Sequence, residues 1–304
     1  ETKSEIDLHN LKFKNFFQLK KIFPKIKKDL IFKNQKIKLE YSKNNLSVVG
    51  SGAALLQSKI DEINYEIYKK KDEVQFKTKL KILKNPFKID LINFEKDINS
   101  DLELNLIGKN HNKNKLLFNE ISLKEKNKTI PIKNLILSND NKIDDFDNID
   151  IDYIDNYGLK NDLKFKKKNN DFLVSGKSFN IKSIIDELLE SENDKNLKIF
   201  NKNFKITFDI DSIYLDKDNS VNNLNGFLLL NKNKISELNL ESNFSDQKKI
   251  KLTIKKDGNE KITTLFSHEA KPLVSRYKFI KGFDGGDLDF YSIKKNNITN
   301  ATLK

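Results

Sequence analysis

Ser267-His268-Glu269-Ala270-Lys271-Pro272-Leu273-Val274-Ser275-Arg276-Tyr277-Lys278-Phe279-Ile280-Lys281-Gly282-Phe283-Asp284-Gly285-Gly286-Asp287-Leu288-Asp289-Phe290 changes its hydrophobic period along its length. Ala270, Leu273, Val274 and Tyr277 recur at i, i+3, i+4 and i+7, so the spacing predicts a short helix over 268–279 with Ser267 as its cap. Gly282 ends it, because glycine accepts the left-handed turn at a helix C-terminus. Asp284-Gly285-Gly286 is a tight turn, and Leu288 and Phe290 then alternate with acids as a strand.

Working outward, period two dominates. Ile63, Tyr65 and Ile67 alternate with polar residues, as do Leu102, Leu104 and Leu106. Ile206, Phe208 and Ile210 repeat the pattern, followed by Leu238 and Leu240 and by Leu252 and Ile254. Turn signals recur roughly every 8–14 residues, the rhythm of an antiparallel meander. Only one other helix is expected, over 181–190, where Ile181, Ile184, Ile185, Leu188 and Leu189 share a face. The expected fold is therefore mainly β, with two short amphipathic helices. Strands apolar on one side give a sheet with one dry and one wet face. That face can close as a sandwich or barrel, or stay open as the groove of a long, strongly curved antiparallel sheet. Alternation alone fits both.

Composition narrows the function classes. The 304 residues carry a formal net charge of +13, from 57 Lys and Arg against 44 Asp and Glu. Arg276 is the only arginine. Phosphate and base recognition lean on the bidentate guanidinium, and the lysines are interspersed with acids, so no nucleic-acid partner is expected. The chain has no Cys, which excludes disulfides and thiolate metal sites. No run of about 20 apolar residues is present to cross a membrane as a helix. The absence of Met, even at position 1, leads us to expect a segment of a longer protein.

Candidate chemistry is sparse. His9, His111 and His268 lie far apart without metal-ligand spacing. Gly50-Ser51-Gly52 lacks the spacing of a phosphate loop and reads as a bulge or turn. Asp144, Asp145, Asp147, Asp150, Asp152 and Asp155 are dense in carboxylates. Counted from Asp150, however, a calcium loop would need Gly where Asp155 stands and Glu where Asn161 stands. No catalytic residue, metal or cofactor is expected, and the chain is read as a non-enzyme.

The unit at Ser267, Ala270, Leu273, Tyr277, Gly285, Gly286 and Leu288 resembles a repeat of AsmA-like proteins, the bacterial members of the bridge-like lipid-transport group. The resemblance covers about one tenth of the chain. It implies an elongated β-sheet over 1–175, continued by an AsmA-like β-repeat over 176–304. It also implies an apolar groove that holds or conducts phospholipid between inner and outer membranes. The location would be the periplasm, with an inner-membrane anchor outside this segment and envelope proteins as further partners. Ile63, Tyr65, Ile67, Leu102, Leu104, Leu106, Ile206, Phe208, Ile210, Leu238, Leu240, Leu252 and Ile254 are the expected groove lining. The alternatives are a β-rich scaffold of adhesin type without lipid, or a lysine-rich anion-binding module.

Overall fold

Period-two sequences form strands because successive side chains point to opposite faces. In the computed structural model of the chain, which describes residues 2–14, 19–111, 115–140, 142–183, 202–231, 234–245, 248–277, 285–296 and 298–304, that rule governs nearly every element. The protein is mainly β, and its sheet structure is large, mostly antiparallel and mixed. The chain divides into two units, Glu1–Asn156 and Tyr157–Lys304. The expected boundary at 175/176 falls within a strand of the second unit.

The first unit contains β1 (Thr2–Lys14), β2 (Asp29–Ser42), β3 (Asn45–Leu55), β4 (Asp61–Lys70) and β5 (Glu73–Ile82). A small hairpin of β6 (Lys88–Ile89) and β7 (Phe94–Glu95) follows, then β8 (Leu102–His111), β9 (Lys115–Glu125), β10 (Lys128–Leu137), β11 (Ile143–Asp145) and β12 (Asn148–Ile154). Apart from the β6–β7 hairpin, the strands pair antiparallel in chain order from β1 to β10. Strand β10 then pairs with both β11 and β12. Among the described residues, β1 pairs with β2 alone, so this sheet keeps an open edge and is not a barrel.

The second unit contains β13 (Lys160–Lys168), β14 (Asp171–Asn180), β15 (Phe204–Tyr214), β16 (Ser220–Asn231), β17 (Lys234–Ser245), β18 (Lys248–Asp257) and β19 (Glu260–Ser267). A helix α1 (Lys271–Tyr277) separates these from β20 (Leu288–Lys295) and β21 (Ile298–Leu303). Pairing is antiparallel throughout except between β14 and β15, which are parallel. A parallel pair needs a crossover rather than a hairpin. The helix expected over 181–190 falls between these two strands in the sequence, and its residues from 184 onward lie outside those described.

The structure corrects the helix expected over 268–279, since α1 begins at Lys271. Ser267 is not its cap but the last residue of β19, paired with Ile250 and Leu288. The Ser267 hydroxyl donates to the Glu269 carbonyl at 2.7 Å and accepts from the Glu269 N–H at 3.2 Å. The turn after the sheet ladder therefore delays the helix. The Ala270 N–H donates to the Gly286 carbonyl at 2.9 Å, and Gly286 has φ +100°, a conformation that favours glycine.

Candidate functional site: a continuous apolar sheet face

Cross-strand register decides what alternation can only suggest. In the first unit, Ile6, Ile37, Gly50, Tyr65, Thr78, Leu106, Ile121, Ile132 and Ile149 are successive Cα partners across β1, β2, β3, β4, β5, β8, β9, β10 and β12. A second row runs through Leu39, Val48, Ile67, Phe76, Gly108, Phe118 and Leu135. A third runs through Gly52, Ile63, Leu80, Leu104, Leu123 and Ile130. Partners on one face of a sheet touch, so three adjoining rows make one apolar surface.

Two glycines in these rows make room for rings. A Cβ at Gly50 would lie 2.2 Å from the Tyr65 ring, and one at Gly108 would lie 2.7 Å from the Phe76 ring. Both aromatic rings lie over backbone on the apolar side. Gly50-Ser51-Gly52, read from sequence as a bulge or turn, instead lies inside β3, and the register shift falls on the partner strand β2 between Lys33 and Lys36.

The opposite face is charged and paired. Lys38 meets Glu5 at 3.1 Å, Lys3 meets Glu40 at 3.2 Å, Lys79 meets Glu103 at 2.9 Å and Lys77 meets Glu66 at 3.5 Å. Exposed pairs of this kind stabilise by about 0.2–1 kcal/mol each. Their larger effect is on register, because a slip by one residue would turn the apolar rows to water.

Burial is graded along the apolar face. At one end the connection from β5 to β8 folds back as a plug. Phe23, Phe87, Phe94 and Tyr153 form a chain of edge-to-face rings at 5.3, 6.1 and 5.5 Å between centroids. Ile82, Leu102, Leu123 and Ile130 are buried there. Buried polar groups tie the plug down. Asp61 accepts from the Leu83 N–H at 3.0 Å and from Asn85 Nδ2 at 2.7 Å. Gln57 donates to the Pro86 carbonyl at 2.8 Å, the Glu125 carboxylate accepts from the Asp97 N–H at 2.7 Å, and the Tyr153 hydroxyl donates to the Ile92 carbonyl. Burial raises the Asp61 carboxyl above its ordinary value of 3.8, against the lowering effect of Asn85 and the Leu83 N–H. Burial, with the Asp155 charge, also pushes the Tyr153 phenol upward.

Away from the plug the same face opens. Tyr65, Leu106, Phe76, Phe118, Ile121 and Ile132 are half-buried, and Ile67 is 36% exposed. A sandwich core would bury such central positions almost completely.

The second unit repeats the arrangement. Phe165, Val174, Phe208, Gly226, Leu240, Leu252, Leu265, Phe290 and Leu303 are successive partners from β13 to β21. Beside them run Phe172, Ile206, Leu228, Leu238 and Ile254. Phe208, Leu240, Leu252, Leu265 and Phe290 are half-buried.

The expected lining residues thus fall on the apolar faces of their own units. Ile63, Leu104, Leu106, Tyr65 and Ile67 come together in the first unit. Ile206, Phe208, Leu238, Leu240, Leu252 and Ile254 come together in the second. Leu102 is fully buried against the plug, and Ile210, Leu238, Ile63 and Ile254 are buried as well, which makes all five core residues rather than open lining. Of the motif residues, Ser267, Ala270, Leu273 and Leu288 are buried, Gly285 and Gly286 are exposed, and the Tyr277 side chain lies outside those described. The sequence reading missed the plug. Its only signal was a break in alternation between Ile82 and Leu102 that retained Phe87 and Phe94.

The remaining polar candidates do not converge. Asp144 pairs with Lys115 at 2.5 Å, Asp147 accepts from Asn134 at 2.6 Å, and Asp150 accepts from Asn148 at 3.1 Å. These acids serve separate neighbours. His268 accepts from the Lys249 N–H at 2.9 Å through Nδ1 and packs edge-to-face on Phe266. No group of three or more His, Asp or Glu able to hold a metal ion occurs among the described residues.

No protein-family model matches the chain, and neither a curated protein nor a solved structure matches it.

Proposed function

We propose that the chain holds phospholipid by its acyl chains on these apolar sheet faces, as a non-catalytic segment of an AsmA-like protein of the bacterial envelope. One observation carries the reading. Side chains in apolar rows seven to nine strands wide, two in the first unit and one in the second, stay half-buried at their centres while the reverse face of the first unit is charged and paired. Contiguous exposed apolar surface of this extent marks an interaction site rather than ordinary surface. Acyl chains are suited to it because transfer from water is favourable by about 0.8 kcal/mol per buried CH₂ and demands no directional partner. A two-chain lipid would lay its tails along the rows and leave its headgroup in water. The resemblance of the Ser267–Leu288 unit adds the periplasmic location and a route between the two membranes.

The test is lipid mass spectrometry on the chain purified from a bacterial periplasm and washed in high salt. Stoichiometric phospholipid that survives the wash is the expected result. A folded, β-rich chain that carries none would overturn the proposal.

A further inference from the structure

We infer that the apolar face of the first unit is a blind slot that takes the acyl tail of an anionic phospholipid, methyl end toward the plug and headgroup at a lysine mouth. This rests on the lipid-holding reading and adds to it an orientation and a headgroup class.

The two ends of the face differ in kind. The plug end is closed by the Phe23, Phe87, Phe94 and Tyr153 rings, and its buried carboxylates and amides are engaged in holding the plug. A tail cannot run out past it. At the other end the rows finish at the β2–β3 and β4–β5 turns. There Tyr41, Leu46, Lys69 and Val74 are partners across four strands, and Tyr41 is 57% exposed. Lys69 continues the alternation of Ile63, Tyr65 and Ile67, so a cation stands on the apolar face at its open end.

Lys43 and Lys71 lie beside it in the two turns, and Lys70, the cross-strand partner of Glu73, stands on the reverse side of the same rim; all are exposed. The Lys71 N–H donates to the Asn44 carbonyl at 3.1 Å, which links the two turns. On the charged reverse face, lysines stand within salt-bridge distance of acids on neighbouring strands. Among the described residues, no carboxylate lies within that distance of Lys43, Lys69, Lys70 or Lys71. Asp72 and Glu73 follow them, but Glu73 accepts from Gln75 at 2.6 Å and faces Lys109 at 4.0 Å. The mouth is therefore a local excess of positive charge at the rim of an apolar surface, complementary to a phosphate attached to a hydrocarbon tail.

The length fits. From Tyr65, the first half-buried position of this face on β4, to Lys69 is four residue steps, about 13 Å at a strand rise of roughly 3.3 Å. Half of a bilayer hydrocarbon core is about 15 Å, so one tail spans the open rows and leaves its phosphate beside Lys69.

The test uses the full chain stripped of lipid and offered vesicles of phosphatidylglycerol or phosphatidylcholine with identical tails. Lipid extracted into the vesicle-free supernatant is measured. The wild-type chain is expected to take up at least tenfold more phosphatidylglycerol. The triple variant K69E/K70E/K71E should lose that preference while phosphatidylcholine uptake stays within twofold. The variant K166E/K167E/K168E, with the same charge change in the second unit, should keep it. Lys→Gln versions at 69–71 serve if the reversed triple does not fold. Equal uptake of both lipids by the wild type, or a preference that survives at 69–71 or falls equally in the control, overturns this inference and leaves the lipid-holding reading intact. Uptake of neither lipid overturns both.

Discussion

Tyr65 and Gly50 show how a single residue pair shapes the face. The Tyr65 ring occupies the space that a Cβ at position 50 would need. Gly50→Ala must therefore push the ring outward or shift the strand, at a cost of about 1–3 kcal/mol. Chemical denaturation should show that loss, and Tyr65→Ala in the same chain should recover part of it, because contacting residues do not add independently. Additive effects would mean that the ring does not lie over Gly50. Asp61 makes a second residue-scale prediction. Its folded pKa is raised by burial, so the folded chain keeps its proton to higher pH than the unfolded chain. Between 3.8 and the raised value the folded state binds more protons, and this carboxyl's contribution to stability falls as pH rises through that window. A carboxyl-carbon NMR titration should place its midpoint above 3.8; a midpoint at or below that value would refute the burial argument.

At the scale of elements, the plug sets where the core of the first unit lies. Phe94 is buried between Phe87 and Tyr153, and Phe94→Ala should destabilise by about 3–5 kcal/mol. Phe76→Ala, on the half-buried part of the same face, should cost clearly less. Unfolding midpoints of the two variants make the comparison, and equal losses would mean that the open part of the face is packed like the plug. The helix α1 carries a different lesson. Its periodicity at Ala270, Leu273 and Val274 was legible, and all three are buried. Its start was not, because the Ser267 hydroxyl could cap a helix or close a turn, and only pairing with Ile250 and Leu288 decides between them.

At the scale of the whole molecule, the sequence by itself determined the strand content, the one-sided faces and the turns. Each follows from periods of two or from local backbone preferences that need only near neighbours along the chain. Residues of the apolar faces such as Ile67, Phe208 and Leu240 could be named for the same reason. The tertiary structure alone decided which rows join, since register between β5 and β8 is set across the intervening plug and alternation is blind to it. It also decided which apolar residues are core and which stay open. Leu102 and Leu106 look identical in alternation, yet one is sealed by Ile82 and the plug and the other is half-buried. Finally, only the structure separated the lysines paired with acids across strands from those at the β2–β3 and β4–β5 turns. A lysine's charge is fixed by its chemistry, but whether an acid neutralises it depends on what the neighbouring strand brings within about 4 Å.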